Sequence, residues 1–193
     1  MWKTFKALIV ISLTGGLSAC GAGTDSTSAK VQIPTPSSKD NNSVKTSNDI
    51  IIDLSKTIFS DGIKIASGHP NTSYTHTTDG VLISGKPTRP RTSGGKTQGF
   101  YIELDKKLEA KLSGKAVTIS LRAKSADAGG MRIAYSTNEV GNSGWIESEL
   151  SSAFNTYSFE YAVPKMKTGR GDYLGILPLS NSIEVANVTI SLN

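Results

Sequence analysis

Aromatic rings near charged side chains are the features of this chain whose types and spacing could do chemistry. Trp145 follows the polar run Gly141-Asn-Ser-Gly144, and Tyr101, Tyr135, Tyr74 and Tyr173 supply further rings. Arg122, Arg132, Glu103 and Glu147 lie in the same apolar-polar segments. An aromatic face stacks on a pyranose ring, while guanidinium and carboxylate groups bond its hydroxyls. Trp145 is the best platform by its loop setting. Tyr101 is the ring best placed to face solvent, because Phe100 and Ile102 on either side of it define the inward direction. Trp145 and Tyr135 suit a packed core equally well. Lys86-Pro-Thr-Arg-Pro-Arg91 puts three cations on a proline-stiffened loop that could meet an anionic glycan.

Catalysis asks for more, namely converging groups with matched pKa values. Beyond Cys20 the chain has no cysteine, and its only histidines are His69 and His76. No Gly-x-Ser-x-Gly elbow, His-Glu-x-x-His pair or EF-hand loop occurs. Gly95-Lys96-Thr97 imitates the end of a phosphate-binding loop, but the position of its first glycine holds Pro90 and a strand follows. Glu103, Glu147, Glu149 and Glu160 could be paired by folding as glycosidases require, and they read instead as solvated strand and loop residues. Arg170-Gly-Asp172 spells an adhesion tripeptide short enough to recur by chance. No catalytic residue and no cofactor is assigned, and the chain reads as a non-enzyme.

The elements that must position these residues are strands. In 99–104, Phe100, Ile102 and Leu104 share one face. In Ala116–Lys124, Val117, Ile119, Leu121 and Ala123 do so, and in 155–164 Tyr157, Phe159, Tyr161 and Val163. Alternation with period two marks a strand with one buried face. Shorter candidates are 49–54, 62–66, 80–84, 131–136, 144–147, 173–178 and 183–192. In the last, apolar parity moves from Ile183 and Val185 to Val188, Ile190 and Leu192, which predicts a bulge near Asn187. Turn residues punctuate nearly every gap, and only Lys106–Leu112 could make a helical turn or two. Nine or ten short strands predict an all-β fold, an antiparallel β-sandwich or jelly roll.

The start of the chain has a different character. Lys3 and Lys6 precede a short apolar stretch, and Leu17-Ser-Ala-Cys20 follows. This is the pattern of a secretory signal peptide, too short to span a bilayer. Leu-Ser-Ala-Cys resembles the lipobox of bacterial lipoproteins, which implies cleavage before Cys20 and lipid on its thiol. Three acyl chains would make that anchor effectively permanent, at about 0.8 kcal/mol for each buried methylene. By resemblance to sorted lipoproteins, Gly21 after the cysteine points to the outer membrane. Residues 20–48, rich in Gly, Ser, Thr, Asn and Pro, hold too little apolar surface to fold and read as a tether. The expected organisation is a signal peptide at 1–19, lipidated cysteine and tether at 20–48, and one β-sandwich domain at 49–193. A lone cysteine excludes an internal disulfide. Loss of Lys3 and Lys6 with the signal lowers the formal charge from +5 to +3. Lysine and arginine are scattered along the chain, and no nucleic-acid motif accompanies them.

Within the domain, Ala116-Val-Thr-Ile-Ser-Leu-Arg-Ala-Lys, Met131-Arg-Ile-Ala-Tyr, Ser143-Gly-Trp145, Thr156-Tyr-Ser-Phe-Glu-Tyr-Ala-Val-Pro164, Asp172-Tyr-Leu174 and Val185-Ala-Asn-Val-Thr-Ile-Ser-Leu resemble carbohydrate-binding modules of the galactose-binding-like jelly-roll fold. The resemblance covers roughly 99–193. It implies a non-catalytic glycan-binding function at the cell envelope. In such modules the last strand often carries an acidic residue near a structural calcium, where this chain reads Ala186-Asn187, so no calcium is assigned. The alternative expectation is a structural or assembly lipoprotein that binds another envelope protein.

Overall fold

The computed structural model describes residues 48–68, 71–85, 99–127, 129–137 and 140–193. The signal peptide, Cys20, the tether up to Ser47, His69, the Lys86-to-Arg91 loop and Gly95-Lys96-Thr97 lie outside the described residues. The rest is an antiparallel β-sandwich, as the alternation predicts.

The first sheet runs β10 (Asn155–Ala162), β6 (Ala116–Lys124), β12 (Ser182–Leu192), β4 (Val81–Ser84), β3 (Ser73–His76). β12 is long enough to take two partners along one edge: β4 along its first half and β1 (Ile50–Asp53) along its second. The second sheet runs β2 (Ile63–Ser67), β5 (Phe100–Leu104), β11 (Asp172–Pro178), β7 (Gly130–Thr137), β8 (Gly141–Asn142), with β9 (Ile146–Glu149) also on β7. Apart from β3–β4 and β7–β9, successive strands switch sheets, so most ladders join residues far apart in the chain.

The two inner faces make one core. Val117, Ile119, Leu121, Ile183, Val188 and Ile190 of the first sheet meet Phe100, Ile102, Leu104, Ile133, Leu174 and Ile176 of the second, all almost fully buried. Each contributes about 1.5–3 kcal/mol by leaving water. With no disulfide possible within the domain, this packing holds the fold. The expected bulge is present: pairing of β12 with β6 shifts register between Val185 and Asn187, and this is how both apolar sets point inward.

One helix, α1 (Lys106–Leu112), closes the end of the sandwich between β5 and β6. Asp105 caps it, its carboxylate accepting from the backbone N–H of Lys107 at 2.9 Å and Leu108 at 3.0 Å. Leu112 anchors it in the core. Buried Glu109 accepts the N–H of Gly171 at 2.8 Å, fixing the start of β11. Gly171 has φ +90°, and a Cβ there would come within 2.5 Å of the Leu104 carbonyl oxygen, so the close approach requires glycine. Among the described residues no helix is long and apolar enough to cross a membrane.

A strand lies outside the expected set, and one expectation needs correction. Ser73–His76 is an edge strand with little apolar signal, since only Tyr74 reaches the core. The strand expected at 144–147 is displaced to Ile146–Glu149, because Gly144 takes φ +70° and delays pairing with β7.

Candidate functional site

Strand parity divides the proposed site residues among three places. Tyr101 and Glu103 of β5, Arg132 of β7 and Glu147 of β9 lie on the outer face of the second sheet, because their neighbours Ile102, Ile133 and Ile146 turn inward. Arg122 lies on the outer face of the first sheet, on the opposite side of the molecule. Tyr135 points inward with Ile133 and is fully buried in the core, so its proposed contact with ligand is withdrawn.

On the second sheet's outer face the registers place Tyr101 opposite Gly175, Gly175 opposite Ala134, and Tyr173 between Glu103 and Ser136. The Tyr101 and Tyr173 rings meet edge to face at 5.8 Å between centroids. Tyr101, Ala134, Tyr173 and Leu177 are all buried yet stand apart from the central core. Tyr101 is only 8% exposed, which corrects the expectation that it is the ring turned to solvent. Alternation gives its direction and says nothing of whether that face is covered.

The open margin of this face is built by β7 and β9. Arg132 and Glu147 are direct cross-strand partners, and the guanidinium engages one carboxylate oxygen twice, from Nε at 2.6 Å and Nη2 at 2.5 Å. Both are partly exposed, so the pair contributes at most about 1 kcal/mol to stability. It also leaves the second Glu147 oxygen and further guanidinium protons for other partners.

Next to this pair comes Trp145. The turn before it is tied down: Gly144 N–H donates to Asn142 Oδ1 at 2.9 Å, and Ser143 Oγ both accepts from Tyr135 N–H at 2.9 Å and donates to the Gly144 carbonyl at 2.8 Å. Ile146 turns inward opposite Ile133, and Trp145 immediately precedes it, two residues from Glu147. It is half-buried and not packed on the central core, and its Nε1–H has no hydrogen-bond partner. Buried indole donors usually find one. Trp145, Arg132 and Glu147 thus put a half-buried ring and a charged pair near one margin.

Arg122 belongs to a separate cluster. Its guanidinium carbon lies 4.5 Å from the Phe154 ring centroid, and Lys124 Nζ lies 4.2 Å from the same centroid. Lys124 also pairs with Glu184 at 2.9 Å, which accepts from Thr77 Oγ1 at 2.6 Å. Burial works to raise the Glu184 carboxyl, but the bonds from Thr77 and Lys124 outweigh it and hold the pKa below the usual range. The sequence reading missed Phe154. Its signal was the spacing of Arg122 and Lys124, two apart and so on one strand face.

The interior holds a polar cluster around Asp172. Tyr135 Oη donates to Asp172 Oδ2 at 2.5 Å, and the Tyr161 ring lies 5.4 Å from that of Tyr135. Burial, then the charge of Asp172, pushes the Tyr161 hydroxyl up to about 12 and the Tyr135 hydroxyl higher. Asp172 itself is pushed up to about 6, first by burial and then by Glu109, against the bond from Tyr135.

Glu103 and Glu147 stand too far apart to act as a catalytic pair. Glu103 and Glu147 share a face but are separated by β11 and β7, three strand spacings of about 4.8 Å or some 14 Å. A glycosidase pair needs roughly 5 to 9.5 Å. Glu160 lies on the other sheet. Among the described residues no three His, Cys, Asp or Glu side chains gather around a common point as a metal would require. Ala186 offers no side-chain ligand, and its carbonyl accepts from Leu54 N–H at 2.9 Å.

No family model matches the chain. No curated protein matches it either. Solved structures similar to it include the CBM22-1 and GH10 modules of endo-1,4-beta-D-xylanase 10B of Clostridium thermocellum, complexed with xylohexaose, at 17% identity and TM-score 0.49 over 74% of this chain. The match spans 28% of that xylanase chain. Another is a family 29 carbohydrate-binding module of Piromyces equi, at 13% identity and TM-score 0.48, covering 75% of this chain and 90% of that one. A third is the xylan-binding module CBM15, at 16% identity and TM-score 0.48, covering 75% and 95%.

Proposed function

We propose that this chain is a lipid-anchored cell-envelope protein of the outer membrane whose sandwich binds carbohydrate without catalysis, at the margin formed by Trp145, Arg132 and Glu147. The observation that carries the reading is Trp145, a half-buried ring outside the central core and two residues from an exposed, incompletely used ion pair. A sugar would stack on the exposed part of the indole and exchange hydrogen bonds with the pair. A glycan array probed with the detergent-solubilised protein and its Arg132→Ala and Glu147→Ala variants tests it. Both variants should fold normally and bind the array hits more weakly. Hits bound equally by all three proteins would remove this margin from the site.

A second reading, a protein-binding envelope component, has its own observation. Ile58 is 85% exposed and Ile51 44% exposed, beside a surface cleft of about 180 Å³ lined by Ile52, Phe59 and Ile63. Cross-linking from position 58 to one envelope protein, with no glycan bound on the array, would favour it.

A further inference from the structure

The cations scattered along the sequence are gathered by the fold at one end. α1 exposes Lys106, Lys107 and Lys111, and Lys115 follows it. The segment between β10 and β11 exposes Lys165, Lys167 and Arg170. The two stretches are joined directly: Met166 N–H donates to Ser113 Oγ at 2.9 Å, Val163 N–H donates to the Lys115 carbonyl at 2.8 Å, and the Lys165 side chain lies against Gly114. Among the described residues Lys106, Lys107, Lys115, Lys165 and Lys167 pair with no carboxylate, the ion pairs there involving Lys56, Lys124 and Arg132. Of the acids nearby, Asp105 is engaged as the helix cap, Glu109 and Asp172 are buried, and Asp49 and Asp61 remain. Among these lysines Met166 is 39% exposed, one of the few large apolar side chains on the surface.

The chain enters the domain at this same end. Lys111 Nζ donates to the carbonyl of Asn48 at 2.9 Å. Residues 21–48, read as a coil, reach roughly 30 Å from Cys20. An anchor at Cys20 therefore joins the domain at its basic end. We propose that this basic end, centred on Met166, lies on anionic lipid headgroups and so orients the sandwich on the membrane. The inference rests on the lipid anchor at Cys20 but not on sugar binding. Each lysine brought to an anionic surface favours it by roughly fivefold, and Met166 can enter the boundary between headgroups and acyl chains.

The test uses the lipidated chain carrying Met166→Cys labelled with bimane, in vesicles of phosphatidylcholine alone or mixed equally with phosphatidylglycerol, each with nitroxide-bearing lipid as quencher. Lipid on Cys20 leaves position 166 as the single reactive thiol. Quenching is expected in the anionic vesicles and not in the neutral ones, and should vanish near 1 M salt, where screening reaches about 3 Å, or on adding Lys165→Glu and Lys167→Glu. A label at Asp127→Cys, at the opposite end, should stay unquenched. Equal quenching in both vesicles, or none in either, overturns the proposal. So does capture of the lysines by a soluble sulfated polysaccharide without quenching in anionic vesicles, which assigns the patch to an acidic glycan. Absence of acyl label on Cys20 overturns anchor and orientation together, whereas acylated chains whose bimane at position 166 stays unquenched overturn the orientation alone.

Discussion

Tyr135 Oη donates to Asp172 Oδ2 at 2.5 Å in the interior of the sandwich, between strands β7 and β11 of one sheet. The bond gives a buried carboxyl a partner at one oxygen and leaves Oδ1 with none. It does not offset burial, and the Asp172 pKa stands near 6.

That shift sets a pH dependence. The folded pKa lies above the unfolded value of roughly 4, so the folded state holds the proton more tightly. Asp172 therefore supports the fold fully below about pH 4, and that support, on the order of 2–3 kcal/mol, is lost as pH rises through about 6. Asp172→Asn keeps an acceptor for Tyr135 and removes the charge. Urea unfolding across this range should show the wild type losing stability with rising pH and the variant losing less, with the variant the more stable at neutral pH. Identical slopes for the two proteins would mean that Asp172 does not titrate in this window.

Anchoring has its own test. Lipidation needs the Cys20 thiol, so Cys20→Ser should abolish acyl labelling and leave the thermal unfolding of the sandwich unchanged. Acyl label persisting on the Cys20→Ser protein would refute the assignment.

How much of this was legible in the sequence depends on the distance between the residues concerned. Alternation in Ala116–Lys124 and around Phe100, Ile102 and Leu104 placed the central strands and their faces, because parity is local. The parity switch after Val185 announced the bulge for the same reason. Parity also turned Tyr135 inward with Met131 and Ile133, and weighing its ring as a ligand platform ignored that signal. The burial of Tyr101 was not legible, since it depends on what covers the outer face. Nor was the basic end, which exists only because α1 and the segment before β11, some fifty residues apart, are sewn together at Ser113 and Met166. Ser73–His76 escaped because an edge strand has little apolar surface to bury.

The sharpest functional prediction compares Trp145 with Tyr101. Trp145 stands outside the central core, so Trp145→Ala should leave the unfolding midpoint close to that of the wild type. If the indole stacks on sugar, binding should weaken by about 0.5–1.5 kcal/mol beyond the area lost. Tyr101 packs edge to face on Tyr173 and is buried, so Tyr101→Ala should cost folding stability, toward the roughly 3–5 kcal/mol of a large aromatic truncation. Thermal unfolding and glycan titration on both variants separate the roles. Collapse of the Trp145→Ala protein would make the indole structural, and unchanged glycan affinity in a well-folded Trp145→Ala protein would end its place in the binding site.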